Sequence, residues 1–368
     1  MPARNALFAI GAGFLCALLW ACCGGEGSAA QLSQTPATTP QHTYNPCPGK
    51  GNFTWEGPFY AQAVTFPSIP LGETPPYYDP STLPPTFSGT ILRPADTRTY
   101  RGPRPAVVLQ HGHNGNQCSL WYMARALAGA GFVAIVYTQP YNVIPDTLGV
   151  DFDAVVSAID FLGSAQNPFY RYTNPAVIGI VGYSEGSSAA SYVPSLPEAY
   201  AVHAVAALDN LKHWLAGDAG AAGQGCVPPA QYPTTPLVPA LGFAMDEVCP
   251  DNPQNDGADI KETGWSWWRD NQIPSVELVM QGYAHATFGD GVNGGSSNQL
   301  QTLAYFVEAW FDRWLNDDFD ADQQLLACTV KGYDVAAVLS QTFLSGVYLT
   351  EANVNTSDYA TYLTQNCP

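Results

Sequence analysis

Gly182-Tyr183-Ser184-Glu185-Gly186 sets a serine between two glycines at the spacing of a tight strand-to-helix turn. The pentapeptide follows the apolar run Val177 to Val181, and Ser187 to Val193 begins a helix-compatible stretch. The pattern predicts a strand, a sharp bend at Ser184 and a helix. The glycines let strand and helix approach closely, and the serine is expected in a strained conformation with its hydroxyl exposed at the helix N-terminus. That is the setting of a nucleophile. The plainer reading, a Gly/Ser-rich loop, sits poorly with an apolar strand leading directly into it.

A serine hydroxyl needs a base to become nucleophilic. The chain has six histidines, and where a serine sits on such a turn the acid and then the base follow it in the chain. That leaves His203, His213 and His285. His203 begins a strand, and His213 is too close to any acid between it and the serine. His285 sits in a loop after the last apolar strand, in QGYAHATFGD, and is the expected base. A tetrahedral oxyanion would need two backbone N–H donors. One is expected from Glu185, the residue after the serine. The other is expected from the loop His111-Gly112-His113-Asn114-Gly115, through the N–H of His113 rather than its ring, with His111 structural. A metal role for His111 and His113 is the weaker reading, because no Cys or Asp stands near them in the chain.

These groups must be carried by a scaffold. Strands are expected at Thr86 to Arg93, Ala106 to Gln110, Phe132 to Tyr137, Val177 to Val181, Val202 to Leu208, Val238 to Met245 and Val276 to Gln281. Helices are expected at Leu120 to Ala128, Val150 to Leu162, from Ser187, and at Gln299 to Asn316. Continuous apolar strands alternating with helices predict an α/β fold, a mostly parallel sheet covered on both faces. Asp151 and Asp153 read as helix-start charges favoured by the helix dipole.

The 368 residues carry 13 Lys+Arg against 31 Asp+Glu, a net charge of −18, which argues against nucleic acid or an anionic membrane surface as a partner. With 46% hydrophobic residues the chain can bury a core, so wholesale disorder is excluded. Arg4 and the apolar run Leu7 to Trp20 read as an export signal within 1–22, too short to span a bilayer comfortably. Leu19-Trp20-Ala21-Cys22 is similar to a bacterial lipobox, with bulky Trp20 where a small residue is usual. Lipidation at Cys22 and ordinary cleavage near Ser28 to Ala30 both stay open. Residues 23–46 read as a flexible linker, and 47–368 as a single domain, expected to be monomeric. Six cysteines remain in that domain: Cys47, Cys118, Cys226, Cys249, Cys328 and Cys367, enough for three disulfides in an exported chain.

From Gly57-Pro58-Phe59 to the C-terminus the sequence resembles the α/β-hydrolase superfamily, and more closely the bacterial cutinase and polyester-hydrolase group. The segments that carry the resemblance are HGHNG, RALAGAGFVAIVYT, the GYSEG turn, VPALGFAM, AHATF and AWFDRWLNDDFDADQQLLAC. The resemblance implies a secreted or surface-anchored serine esterase with a Ser-His-Asp triad, no cofactor, and a small or polymeric carboxylic ester as substrate. It also implies a disulfide Cys328–Cys367; Cys47–Cys118 and Cys226–Cys249 are guesses for the rest. The acid departs from the cutinase pattern, which places it at Val248, beside Asp246 and Glu247. Asp209, in AVAALDN, matches instead the place where the similar platelet-activating-factor acetylhydrolase and chlorophyllase branches carry theirs. Asp209 is favoured and Asp246 is the alternative.

The resemblance is weakest around the substrate. His113, Glu185 and Asp209-Asn210-Leu211 stand where cutinase-like enzymes carry an aromatic residue, Met and Trp, so the cleft mouth is expected to be more polar and acidic, which disfavours anionic substrates. A binding or adhesion module on the same fold, and a peptidase or amidase, are the competing functions. Trp265, Trp267 and Trp268 read as a packed aromatic cluster rather than a cleft cover. Asp317, Asp318, Asp320 and Asp322 read as a solvated helix end rather than a calcium loop, since the EF-hand Gly and Glu are missing.

Overall fold

The computed structural model describes residues 44–48, 57–70, 84–96, 99–113, 115–139, 148–199, 201–208, 211, 236–245, 265–289, 294–326, 329–330, 333–334, 339–345, 348 and 352. The chain divides into Met1–Pro40 and Gln41–Pro368, and every described residue belongs to the second unit. The expected signal with Cys22, the cysteines Cys226, Cys249, Cys328 and Cys367, and both acid candidates Asp209 and Asp246 lie outside the described residues.

Strands form where apolar residues run without interruption. These are β3 (Arg104–Gln110), β4 (Val133–Thr138), β5 (Thr173–Tyr183), β6 (Val202–Leu208), β7 (Ala240–Met245) and β8 (Ser275–Met280). Buried on both faces, such strands gain from apolar side chains at every position. They pair in the order β4-β3-β5-β6-β7-β8, all parallel. Three further strands join antiparallel: β1 (Phe59–Pro67) on β2 (Thr86–Pro94), β2 on β4, and β11 (Leu339–Leu344) on β8. The result is a nine-stranded, mostly parallel sheet of α/β class. A short antiparallel pair, β9 (Thr329–Val330) and β10 (Tyr333–Asp334), stands apart from it.

Alternate residues of each strand face opposite layers. Val107 and Leu109 pack with α1 (Trp121–Ala130) and α4 (Ser297–Leu315), while Ala106 and Val108 pack with α2 (Leu148–Gly163) and α3 (Glu185–Tyr192). Helix ends are specified locally. At the end of α1, Gly131 is left-handed at φ 112° and the Phe132 N–H donates to the Leu127 carbonyl at 3.0 Å. At the start of α4, Ser296 and Gln299 bond reciprocally: Ser296 N–H to Gln299 Oε1 at 2.9 Å, Gln299 N–H to Ser296 Oγ at 3.4 Å.

Two expectations about acidic residues are corrected. Asp151 lies in the first turn of α2, as expected, but Asp151 and Asp153 are fully buried, and burial rather than the helix dipole governs the charge of Asp151. Burial, then the charge of Glu185, push the Asp151 carboxyl well above its ordinary value, so desolvation outweighs the dipole. Asp322, read as part of a solvated helix end, is buried within α5 (Ala321–Leu325). It accepts from Arg313 Nε at 3.0 Å and from the Tyr348 hydroxyl at 3.1 Å; Asp317, Asp318 and Asp320 are exposed, as expected. Trp265 and Trp268 are packed in the α2/α3 layer, and Trp267 is 37% exposed.

Cys47 and Cys118 form a disulfide across a separation of 71 residues. It ties the start of the domain to the turn that leads from the 111–115 loop into α1. Closing a loop of that length restricts the unfolded chain, so Cys47→Ala with Cys118→Ala is expected to lower unfolding free energy by ~3 kcal/mol. A guanidinium titration would register this as a lower midpoint.

Candidate active site

The chain runs from β3 to β4 on one side, then returns to place β5 on the other side of β3. In open parallel sheets, the region beyond the C-terminal ends of the strands at such a reversal, here β3 and β5, is the usual ligand position. The loop after β3 and the turn after β5 are the two segments that carry His113 and Ser184.

Ser184 is the residue between β5 and α3, with φ 57° and ψ −118°. A non-glycine residue held there costs about 1–3 kcal/mol and persists only where its surroundings fix it. They do: the Ser184 N–H donates to the Leu208 carbonyl at 3.0 Å, and Ser187 Oγ donates to the same carbonyl at 2.9 Å. The glycines serve close approach. A Cβ on Gly182 would strike the Gly186 backbone, and one on Gly186 would strike the carbonyls of Gln110 and His111. The bend expected from the sequence therefore forms, and it packs against the end of β3.

His285 opens a short 3-10 turn, His285–Phe288, after β8. Its Nε2 lies 3.0 Å from Ser184 Oγ, the reach needed for proton transfer. What holds this loop is not legible in the sequence. The Tyr183 ring stacks on the His285 ring at 5.4 Å between centroids, and its hydroxyl donates to the His285 carbonyl at 3.1 Å. From α1, the Tyr122 hydroxyl donates to the Phe288 carbonyl at 2.8 Å. The Ala284 N–H donates to Thr287 Oγ1 at 3.1 Å. The only sequence signal for Tyr183 was its place beside the serine.

The loop after β3 presses on the serine: a Cβ on Gly112 would lie 3.1 Å from Ser184 Oγ and 2.9 Å from the Tyr183 carbonyl. The Gly115 N–H donates back to the Gly112 carbonyl at 2.9 Å, closing the turn. His111 is fully buried, and burial lowers its pKa to about 4, so the ring is neutral. Its Nε2 accepts from the Gln139 N–H at 3.1 Å, which assigns the proton to Nδ1, 2.8 Å from the Gly112 carbonyl. His111 thus fastens the loop to the end of β4, the structural role expected of it.

Behind the turn lies a buried polar layer that composition did not reveal. Gln110 Nε2 donates to Asp151 Oδ1 at 2.8 Å and to Gln139 Oε1 at 3.0 Å, and the Tyr137 hydroxyl donates to Gln110 Oε1. The traces of it in sequence are a Gln ending an apolar run and an Asp in a helix first turn. In front, His113 Nδ1 lies 3.3 Å from Glu185 Oε2. Among the described residues, no group of three or more His, Cys, Asp or Glu is placed to hold a metal ion. Ser184 and His285 are brought together, with His113 and Glu185 beside them; Asp209 and Asp246 fall outside the described residues.

The chain matches no protein-family model and has no significant match among curated protein sequences.

Proposed function

We propose that this chain is a serine hydrolase on an α/β-hydrolase scaffold that cleaves carboxylic esters through an acyl-enzyme. The observation that carries the reading is Ser184, at positive φ beyond the end of β5, with Oγ 3.0 Å from His285 Nε2. A strained serine within proton-transfer distance of a histidine, beyond the C-terminal ends of β3 and β5, is costly to maintain for packing alone.

In this reading His285 Nε2 takes the Ser184 proton as Oγ bonds to the ester carbonyl carbon. The carbonyl electron pair moves onto oxygen, and the N–H groups of His113 and Glu185 stabilise that oxyanion. Losing one such donor typically costs about 10²–10³ in rate. The tetrahedral species collapses, the alkoxide leaves with the proton from His285, and water repeats the sequence to release the acid. The triad carboxylate, Asp209 by preference and Asp246 otherwise, holds the imidazole and stabilises its charged form. His113 and Glu185 make the rim polar, which favours neutral esters and weighs against an aromatic polyester. Export, with or without a lipid at Cys22, belongs to the same reading. No helix among the described residues is long and apolar enough to cross a membrane.

The test is a panel of p-nitrophenyl esters from acetyl to palmitoyl, with fluorophosphonate capture alongside. Turnover is expected for at least one acyl length, with covalent capture by the wild type and none by Ser184→Ala. Absence of both would favour a binding module that keeps the fold without the reaction.

A further inference from the structure

Gly112 stands against the nucleophile: a Cβ there would lie 2.5 Å from the Ser184 Cβ and 3.1 Å from its Oγ, so the position excludes a side chain. Glycine also leaves the flanking peptide planes free to rotate. In a trans peptide the carbonyl and the following N–H point in opposite directions, and none of the described peptide bonds is cis. The direction of the Gly112 carbonyl therefore fixes the direction of the His113 N–H. Turned one way, the plane presents that N–H to an oxyanion. Turned over, it presents a carbonyl oxygen in the same place, which repels developing negative charge.

We propose that His111 is the positioning residue that locks this plane: its Nδ1–H holds the Gly112 carbonyl, so that the opposite edge of the peptide, the His113 N–H, is presented to the oxyanion. The inference rests on the serine-hydrolase reading above and gives His111 a task beyond fastening the loop to β4. Nδ1 lies 2.8 Å from the Gly112 carbonyl oxygen, and the Gly115 N–H donates to the same oxygen at 2.9 Å. The ring proton belongs on Nδ1 because Nε2 faces the Gln139 backbone N–H at 3.1 Å, and a backbone N–H can only donate. One plane earlier, Gln110 Nε2 donates to the His111 carbonyl at 3.1 Å. Two successive carbonyls are thus held by buried side chains, on either side of the one residue whose backbone is least constrained by its own chemistry. Burial keeps the pKa of the ring at about 4, so this tautomer persists at neutral pH.

The two bonds of the ring can be separated. The Nδ1–H bond to Gly112 sets the plane, and the Nε2 bond to Gln139 ties the loop to the end of β4. An asparagine amide at 111 reaches the place of Nδ1 and donates there, but falls short of the place of Nε2. A glutamine amide reaches the place of Nε2 and takes away the donor to Gly112. Leucine fills part of the volume and supplies neither bond. A latch to β4 is therefore replaced best by glutamine, and a plane lock by asparagine. Gly115 offers a route that leaves His111 in place. A Cβ there would lie 2.9 Å from the Gly112 carbonyl oxygen and 2.9 Å from His111 Nδ1, so Gly115→Ala presses on the locking bond itself.

The experiment is the second-order rate of fluorophosphonate labelling at neutral pH for the full chain and its His111→Asn, His111→Gln, His111→Leu and Gly115→Ala variants. Thermal melts, and kcat and KM for the best p-nitrophenyl ester, are measured alongside. His111→Asn is expected to label within about tenfold of the wild type. His111→Gln and His111→Leu are expected to label about 10²–10³ more slowly, the loss of one oxyanion donor, with the fall in kcat and KM nearly unchanged. Gly115→Ala is expected to lose about tenfold, again in kcat. Rates should follow the donor to Gly112 and not the melting temperature. Faster labelling of His111→Gln than of His111→Asn, or rates that track the melting temperatures, would overturn the lock while leaving the serine nucleophile standing. Should the His111 variants fail to fold, Gly115→Ala decides alone: a loss in kcat at constant KM supports the lock, and a wild-type rate overturns it. No labelling of the wild type would remove the nucleophile and the lock together.

Discussion

Ser184→Ala is expected to lower kcat for ester hydrolysis by about 10⁶, His285→Ala by a similar factor, and the double variant by no more than either alone. The non-additivity follows from the geometry. Oγ and Nε2 meet at 3.0 Å, and in the proposed reaction they act as one unit, so removing either leaves the other without a task. In the proposed mechanism the two backbone donors survive either substitution. Stability separates this from misfolding. Alanine keeps a Cβ at φ 57°, so Ser184→Ala should fold with nearly wild-type stability, whereas Ser184→Gly relieves the strain and should be more stable by about 1 kcal/mol while equally inactive. An inactive variant that melts higher than the wild type is the signature of a residue held for chemistry rather than for packing. Steady-state kinetics with the best ester from the panel, together with thermal melts, would check both halves. Retention of more than about a hundredth of wild-type kcat in Ser184→Ala would exclude it as the nucleophile.

The central strands were legible because burial on both faces forces continuous apolar runs, and the bend at Ser184 because sterics allow only glycine at 182 and 186. Those signals are local. The edge strands β1 and β11 carried no such run: β1 alternates exposed and buried positions irregularly, and Ser340 and Gln341 interrupt β11. The histidine was reachable by elimination, but the parts that hold it were not. Tyr183 stacks on a residue about a hundred positions away, and His113 meets Glu185 across two strands and two helices, so nothing in local sequence announces either contact. The burial of Asp151 is not legible for a related reason. A helix-start Asp is ordinarily solvated, and only the packing of α2 over Gln110 makes this one an interior group. The acid is the site residue the sequence leaves most open, because two neighbouring strands each end in an aspartate.

Asp209→Asn is expected to lower kcat by about 10⁴, and Asp246→Asn by less than about tenfold. The strand order supplies the reason. His285 comes from the loop after β8, three strands from β5, yet its Nε2 reaches Ser184 Oγ at 3.0 Å. Asp209 follows Leu208, the last residue of β6, whose carbonyl accepts the Ser184 N–H. Asp246 follows Met245 at the end of β7, one strand further from β5, where Met245 pairs with Met280 at the end of β8. The asparagine keeps the shape and removes the charge, so the imidazole loses the partner that fixes its tautomer and stabilises its protonated form. Fluorophosphonate labelling rates of the two variants at one pH would rank them without a known substrate. A larger loss in Asp246→Asn than in Asp209→Asn would place the acid on β7 and return the site to the cutinase pattern.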